Sequence, residues 1–131
     1  MMTGSCHCGA IRWRLNFRPE TALSCNCSIC HRYGAIWAYG VFGKSIHIAG
    51  DAKAYVRDDE GQMQFLFCPT CGCMTHHLAL VADEAGNRRC AVNLRMADFE
   101  SVSDIPITRF DGAETWSKRP SAGLTIGDIW H

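Results

Sequence analysis

Two cysteine turns sixty residues apart, Cys6-His7-Cys8-Gly9 and Cys68-Pro69-Thr70-Cys71-Gly72, restrict this chain more than any other feature. A Cys-x-x-Cys-Gly turn brings two thiolates to one coordination edge, and the glycine lets the backbone fold tightly beneath them. A Cys-x-Cys pair does the same only where the strand kinks, because residues i and i+2 of a regular strand stand too far apart. Gly9 permits that kink. Four thiolates from two distant turns make a closed tetrahedral site, the structural kind of zinc centre. Any fold that holds them must bring residues 6–8 against residues 68–71, and in a small domain such a site contributes much of the folding free energy. The competing account is four buried free thiols packed as small hydrophobes.

The chain has nine cysteines in 131 residues, a high and odd number. Its start, Met1 to Cys8, has neither a basic n-region nor an apolar h-region, so a cytoplasmic location is expected. Disulfides do not persist in that reducing compartment, and cysteines there serve as metal ligands or reactive thiols. Thirteen Lys and Arg balance thirteen Asp and Glu. A nucleic-acid or anionic-membrane binder needs a basic excess, so neither is an expected partner. No apolar run approaches the ~20 residues of a transmembrane helix. The length fits one domain over 1–131.

Glycine and Asp-rich points recur every 8 to 15 residues, and between them lie short stretches with period-2 or β-branched and aromatic character. Strands are expected at Ala10–Leu15, Ile36–Phe42, Thr75–Leu80 and Cys90–Arg95. A hairpin is expected from Ala54–Arg57 and Gln62–Phe67 around Asp58-Asp59-Glu60-Gly61. Short helices are expected at Ser28–Tyr33, with Ser28 placed to cap it, and near Met96–Phe99. The fold class is therefore mainly β: several short antiparallel sheets with minimal helix. Cys90, in a strand-like run, reads as a buried core thiol.

A third cluster, Cys25-Asn26-Cys27-Ser28-Ile29-Cys30, places three thiols within six residues without an obvious fourth ligand. Zinc sites with three protein ligands and one exchangeable position are the catalytic type. An open position takes water or a substrate thiol, which the metal deprotonates. Three other accounts stay open: a site closed by Cys73, His31, His76 or His77, free redox thiols, or an iron–sulfur cluster.

Three segments together resemble the glutathione-dependent formaldehyde-activating enzyme family, which includes centromere protein V-like proteins. They are Gly4-Ser5-Cys6-His7-Cys8-Gly9-Ala10-Ile11, Cys25-Asn26-Cys27-Ser28-Ile29-Cys30 and Phe67-Cys68-Pro69-Thr70-Cys71-Gly72. Val92-Asn93-Leu94-Arg95 and Phe110-Asp111-Gly112 leading to Trp116 extend the likeness to about residues 4–116. The resemblance implies a zinc-bearing β-tent fold, with structural zinc on Cys6, Cys8, Cys68 and Cys71 and a catalytic zinc on Cys25, Cys27 and Cys30. It also implies condensation of glutathione with formaldehyde to S-hydroxymethylglutathione, a carbon–sulfur lyase activity. Cys73 departs from the pattern and, as a fourth ligand of the second zinc, would close its open position.

On this reading a thiol held as thiolate adds to an aldehyde carbonyl, and a nearby donor protonates the new oxygen. His31 is the nearest such donor in sequence, with His76 and His77 as alternatives. Arg32 and Arg95 are candidate partners for glutathione's carboxylates. Trp37, Tyr39 and Phe42 are candidate pocket walls. The rival functions are a zinc-stabilised binding module without catalysis, and a redox or metal-handling protein that uses Cys25, Cys27 and Cys30.

Overall fold

Eleven strands are present among residues 1–57 and 62–131, the residues that the computed structural model describes. A small antiparallel sheet joins β1 (Met2–Ser5), β2 (Arg12–Leu15) and β5 (Ile46–Ala49) in the order β1-β2-β5. A larger sheet runs β11-β10-β3-β4-β9-β8-β7-β6. Its strands are β3 (Ala22–Cys25), β4 (Trp37–Val41), β6 (Lys53–Val56), β7 (Met63–Phe67), β8 (Met74–Ala79), β9 (Arg89–Asn93), β10 (Ile107–Asp111) and β11 (Ser117–Arg119). All its pairings are antiparallel except β10 with β3, where Ile107–Phe110 lie alongside Ala22–Cys25 in parallel.

The expected mainly β class holds, with one parallel pair in place of purely antiparallel sheets. The hairpin of β6 and β7 forms as read, while its Asp58–Gly61 turn lies outside the described residues. The strand expected over Cys90–Arg95 stops at Asn93. The Asn93 side-chain oxygen accepts from the Arg95 amide (3.2 Å) and caps a 3-10 turn over Leu94–Met96, a local bond that competes with the ladder. The same oxygen accepts from the Ile36 amide, and the Asn93 amide group donates to the Met74 carbonyl at 2.9 Å. One buried side chain thus ties the starts of β4 and β8 to the end of β9. The second helix, α2, runs Phe99–Val102, later than expected.

Period-2 alternation sorts the large sheet into two faces. Ile36, Ala38, Cys90, Val92 and Leu78 turn to a core completed by Trp13, Leu15 and Ile46 of the small sheet and by Val102, Ile105 and Ile126. Trp37, Phe65 and Ala91 turn the other way, to a second cluster that contains Cys27 and Cys30, and Met74 joins them because a β-bulge at Thr75 reverses the alternation of β8. Cys90 is fully buried in the first core, as expected of a core thiol, and burial pushes it up to about 12.

Candidate metal centres and substrate site

The first cysteine group forms where the β1–β2 loop meets the β7–β8 turn. The sulfurs of Cys6, Cys8, Cys68 and Cys71 all lie within 4.8 Å of one another. Cys6 Sγ is 3.7 Å from Cys8 Sγ, which is 3.5 Å from Cys68 Sγ. A zinc–sulfur bond of about 2.3 Å sets tetrahedral sulfur–sulfur edges of about 3.8 Å, so the donor set fits that metal. Both closing glycines take left-handed backbone, Gly9 at φ 82° and Gly72 at φ 79°, as the turns require. Backbone amides face the sulfurs: Ile11 N donates to Cys6 Sγ at 3.2 Å, and Thr70 and Cys71 N to Cys68 Sγ at 3.4 and 3.5 Å. The amides of Cys73 and Cys8 hold the Cys71 thiol down to about 5, a thiolate ready for a cation.

The second group is built where β3 leads into helix α1 (Ser28–Tyr33), with Cys25, Cys27 and Cys30 sulfurs within 4.8 Å of one another. Cys27, rather than Ser28, is the N-cap: its sulfur accepts from Cys30 N at 3.4 Å, because the ligand sulfur already stands over the first helical amides. The Trp37 indole donates to Cys30 Sγ at 3.4 Å from behind. Hydrogen bonds from the Cys30 thiol and from the Cys27 and Gly112 amides pull the Cys25 thiol down to about 6, against partial burial. Cys30, sharing that proton and more deeply buried, is pushed well up. Three soft donors carrying N–H···S bonds match zinc.

A polar clamp fixes the cluster from the β10–β11 side. Asn26, between the first two ligands, donates to Asp111 Oδ1 at 3.1 Å and accepts from Ala113 N at 3.0 Å. Asp111 is almost wholly buried and also accepts from the Thr115 hydroxyl (2.9 Å) and from Arg119 (3.2 Å). The Thr115 and Asn26 bonds hold its carboxyl well below the usual carboxylate range. Gly112 passes so close that a Cβ there would stand 2.6 Å from Cys25 Sγ.

Two unlike cavities meet at these sulfurs. One, of about 510 Å3, borders Cys25, Cys27 and Cys30 and is walled mainly by Leu23, Tyr39, Met63, Phe65, Phe110 and Trp116, with His77 among them. The other, a polar groove of about 270 Å3, borders Cys25 and Cys30 and carries His31, Arg95, Arg109 and Arg119.

The candidates read from sequence separate accordingly. Cys73 packs with Cys6, Ile11 and Cys68 beside the first group, because it directly follows that turn and precedes β8; it does not join the second group. Among the described residues no histidine joins that group either. His77 lines the apolar cavity, meeting Trp37 and Tyr39 edge-on and Phe65 at a tilt, and burial pushes it down to about 3. His76, one residue along the strand, is buried too, with Nδ1 at 2.9 Å from the Thr75 hydroxyl. Arg95 lines the groove with its guanidinium donating to the carbonyls of Gly34, Ile129 and Trp130. Arg32 lies on the exposed flank of α1, donating to Ser28 O, and borders neither cavity. Tyr39 walls the apolar cavity and Trp37 backs the cluster, whereas Phe42, beyond the end of β4, is exposed beneath Arg88. Sequence reasoning missed Arg109 and Arg119, which lie on β10 and β11, strands too short to announce themselves except by the Asp-Gly that joins them.

The family model of the glutathione-dependent formaldehyde-activating enzyme matches residues 1–106. A curated protein of Halomonas elongata, whose name assigns it provisionally to the same enzyme type, is 39% identical over 57 residues. That stretch is 43% of this chain and 33% of the relative, so the match spans about a third of the relative's length. A crystal structure of a Rhodobacter sphaeroides protein superposes with a TM-score of 0.60 at 28% identity, over 82% of this chain and 100% of that one.

Proposed function

Because the chain belongs to the glutathione-dependent formaldehyde-activating enzyme family, we propose that it joins a thiol to an aldehyde at the Cys25–Cys27–Cys30 cluster. The observation that carries this reading is the meeting of a cationic groove and an apolar chamber at one set of sulfurs. Glutathione carries two carboxylates, and Arg109 offers them a charge-assisted donor. Arg95 and Arg119, whose guanidiniums already donate to the carbonyls of Gly34, Ile129 and Trp130 and to Asp111, add positive charge to the groove. Its sulfur then reaches the cluster, where the aldehyde waits on the apolar side. When bound, a zinc ion on Cys25, Cys27 and Cys30 supplies the positive charge that keeps a thiol ionised at neutral pH.

The chain's own residues orient the two partners, and holding them together supplies most of the rate gain. The sulfur–carbon bond forms as the carbonyl π bond opens, and the thiol proton ends on the new hydroxyl. His31, at the groove, is the proposed carrier of that proton. Run in reverse, the same step is carbon–sulfur lyase chemistry. Cys6, Cys8, Cys68 and Cys71 are proposed to hold a structural zinc, the working unit being one domain over 1–131 in the reducing cytoplasm. Among the described residues no helix is long and apolar enough to cross a membrane.

Zinc stoichiometry tests the reading, measured on protein purified anaerobically without chelator. Wild type is expected to hold two zincs per chain, and Cys27→Ser one, with unchanged circular dichroism. Glutathione added to wild type is then expected to raise the sulfur count at the second zinc in X-ray absorption. One zinc in both proteins would overturn an open catalytic site and favour a zinc-stabilised binding module.

A further inference from the structure

The apolar chamber is built on the wrong scale for formaldehyde. Its volume of about 510 Å3 is roughly seventeen times the 30 Å3 that a water molecule occupies in the liquid. Formaldehyde has two heavy atoms and is little larger than water. Cavities of roughly 300–1,000 Å3 are those that enclose ligands of drug size. Most of the chamber wall is aromatic or aliphatic, with Arg57, Gln62 and Arg89 among its polar members, and the Arg89 guanidinium lies over the Tyr39 ring at 4.6 Å. Burial pushes the Tyr39 phenol up to about 12, and His77 is almost wholly buried, so both are neutral groups in an apolar setting.

A second observation concerns Trp116. It is 68% exposed, an uncommon position for so large an apolar ring. Its backbone sits at φ 54°, in the left-handed region that residues other than glycine rarely adopt. That conformation is enforced: Trp116 N donates to the Asp111 carbonyl at 2.7 Å, and Thr115 is tied to the Asp111 carboxylate. The ring meets Phe110 edge to face at 5.1 Å, and both rings border the chamber. Residues held in such conformations cluster at active sites, ligand clamps and switch regions. What the strain presents is a flat, exposed indole, a surface on which a planar ring stacks.

We propose that the chamber takes the body of a planar, largely apolar aldehyde, with Trp116 as the residue that selects it. This rests on the thiol-addition reading above and names its carbonyl substrate class. The reaction balances as before: the glutathione sulfur bonds the carbonyl carbon, the π bond opens, and the thiol proton moves to the new hydroxyl.

The test pairs binding with turnover, using zinc-loaded wild type, Trp116→Ala and Trp116→Phe. Binding is read by calorimetry with 2-naphthylmethanol, the unreactive alcohol of the matching aldehyde. Wild type is expected to bind it with a submillimolar Kd, Trp116→Ala at least fivefold more weakly, and Trp116→Phe close to wild type. Turnover is read as glutathione adduct formation from 2-naphthaldehyde and from formaldehyde. The kcat/KM for naphthaldehyde is expected to exceed that for formaldehyde at least tenfold, and Trp116→Ala to shrink that ratio. Formaldehyde turnover without naphthylmethanol binding would overturn the proposal and leave the thiol-addition reading standing. Naphthylmethanol binding through Trp116 without turnover of any aldehyde would overturn the thiol-addition reading, and with it the carbonyl assignment.

Discussion

His77 shows how a single side chain can carry both a wall and a pH dependence. Its ring is packed among Trp37, Tyr39 and Phe65, and burial, with Arg89 and His76 adding repulsion, pushes it down to about 3 from an ordinary 6.5. Between those values the unfolded chain binds a proton that the folded chain refuses. Stability from this residue is therefore complete above about pH 6.5 and falls with pH across that window. From pH 7 to pH 5 the loss attributable to His77 is about 2 kcal/mol. Urea unfolding of zinc-saturated wild type and His77→Phe at both pH values should show the variant losing that much less. Equal losses would mean that the imidazole takes up a proton in the folded state.

At the scale of elements, the β10–β11 hairpin is the part that shapes the second cysteine group. Its first strand pairs in parallel with β3, so Phe110 lies beside Cys25, and its turn delivers Asp111 and Gly112 to Asn26 and Cys25. The hairpin also contributes Arg109 and Arg119 to the groove and Phe110 and Trp116 to the chamber. Gly112→Ala would place a methyl 2.6 Å from Cys25 Sγ, with Cys27 Cβ at 3.3 Å, so Cys25 must move from its place among the three sulfurs. The expected result is a protein with wild-type circular dichroism and thermal transition whose zinc content falls from two per chain towards one. Displacing a supporting contact of a metal ligand costs roughly 10–100-fold in affinity. Full retention of the second zinc in the face of equilibrium dialysis against a weak chelator would show that the hairpin can shift freely.

For the whole molecule, the decisive link is the first cysteine group. Cys6 and Cys8 lie in a loop of the small sheet and Cys68 and Cys71 in a turn of the large one, so a metal there pins the two sheets together. Apart from that group the two sheets are joined by one shared apolar core, to which the small sheet gives Met2, Trp13, Leu15 and Ile46. Structural zinc binding is worth roughly 10–16 kcal/mol in small zinc-dependent peptides, as large as the whole stability of an ordinary domain. Cys68→Ser is accordingly expected to abolish cooperative thermal unfolding, a loss far beyond the second-site effect expected of Cys27→Ser. A sharp transition in Cys68→Ser within a few degrees of wild type would make the site dispensable.

Much of this was legible in the chain because it depends on local spacing. Cys-x-Cys-Gly and Cys-x-x-Cys-Gly predict two half-sites, period-2 runs predict β4, β7, β8 and β9, and the Ser28–Tyr33 helix follows from its neighbours and Gly34. The strands that escaped, β1, β3, β5, β10 and β11, are about as short as β2 and β6, which were expected. β3 and β10 are set by pairing with each other across some eighty residues, and β5 by pairing with β2, which no local pattern announces. The side of the sheet on which Cys73 falls, the separation of Phe42 from Tyr39, and the convergence of Arg95, Arg109 and Arg119 are likewise settled by register and by a parallel pairing across some eighty residues. The sequence by itself determined the ligand chemistry and the β class, because thiolate spacing and alternation are properties of neighbours. The tertiary structure alone decided what the sulfurs face, because a cavity is made of residues that meet only once the chain has folded.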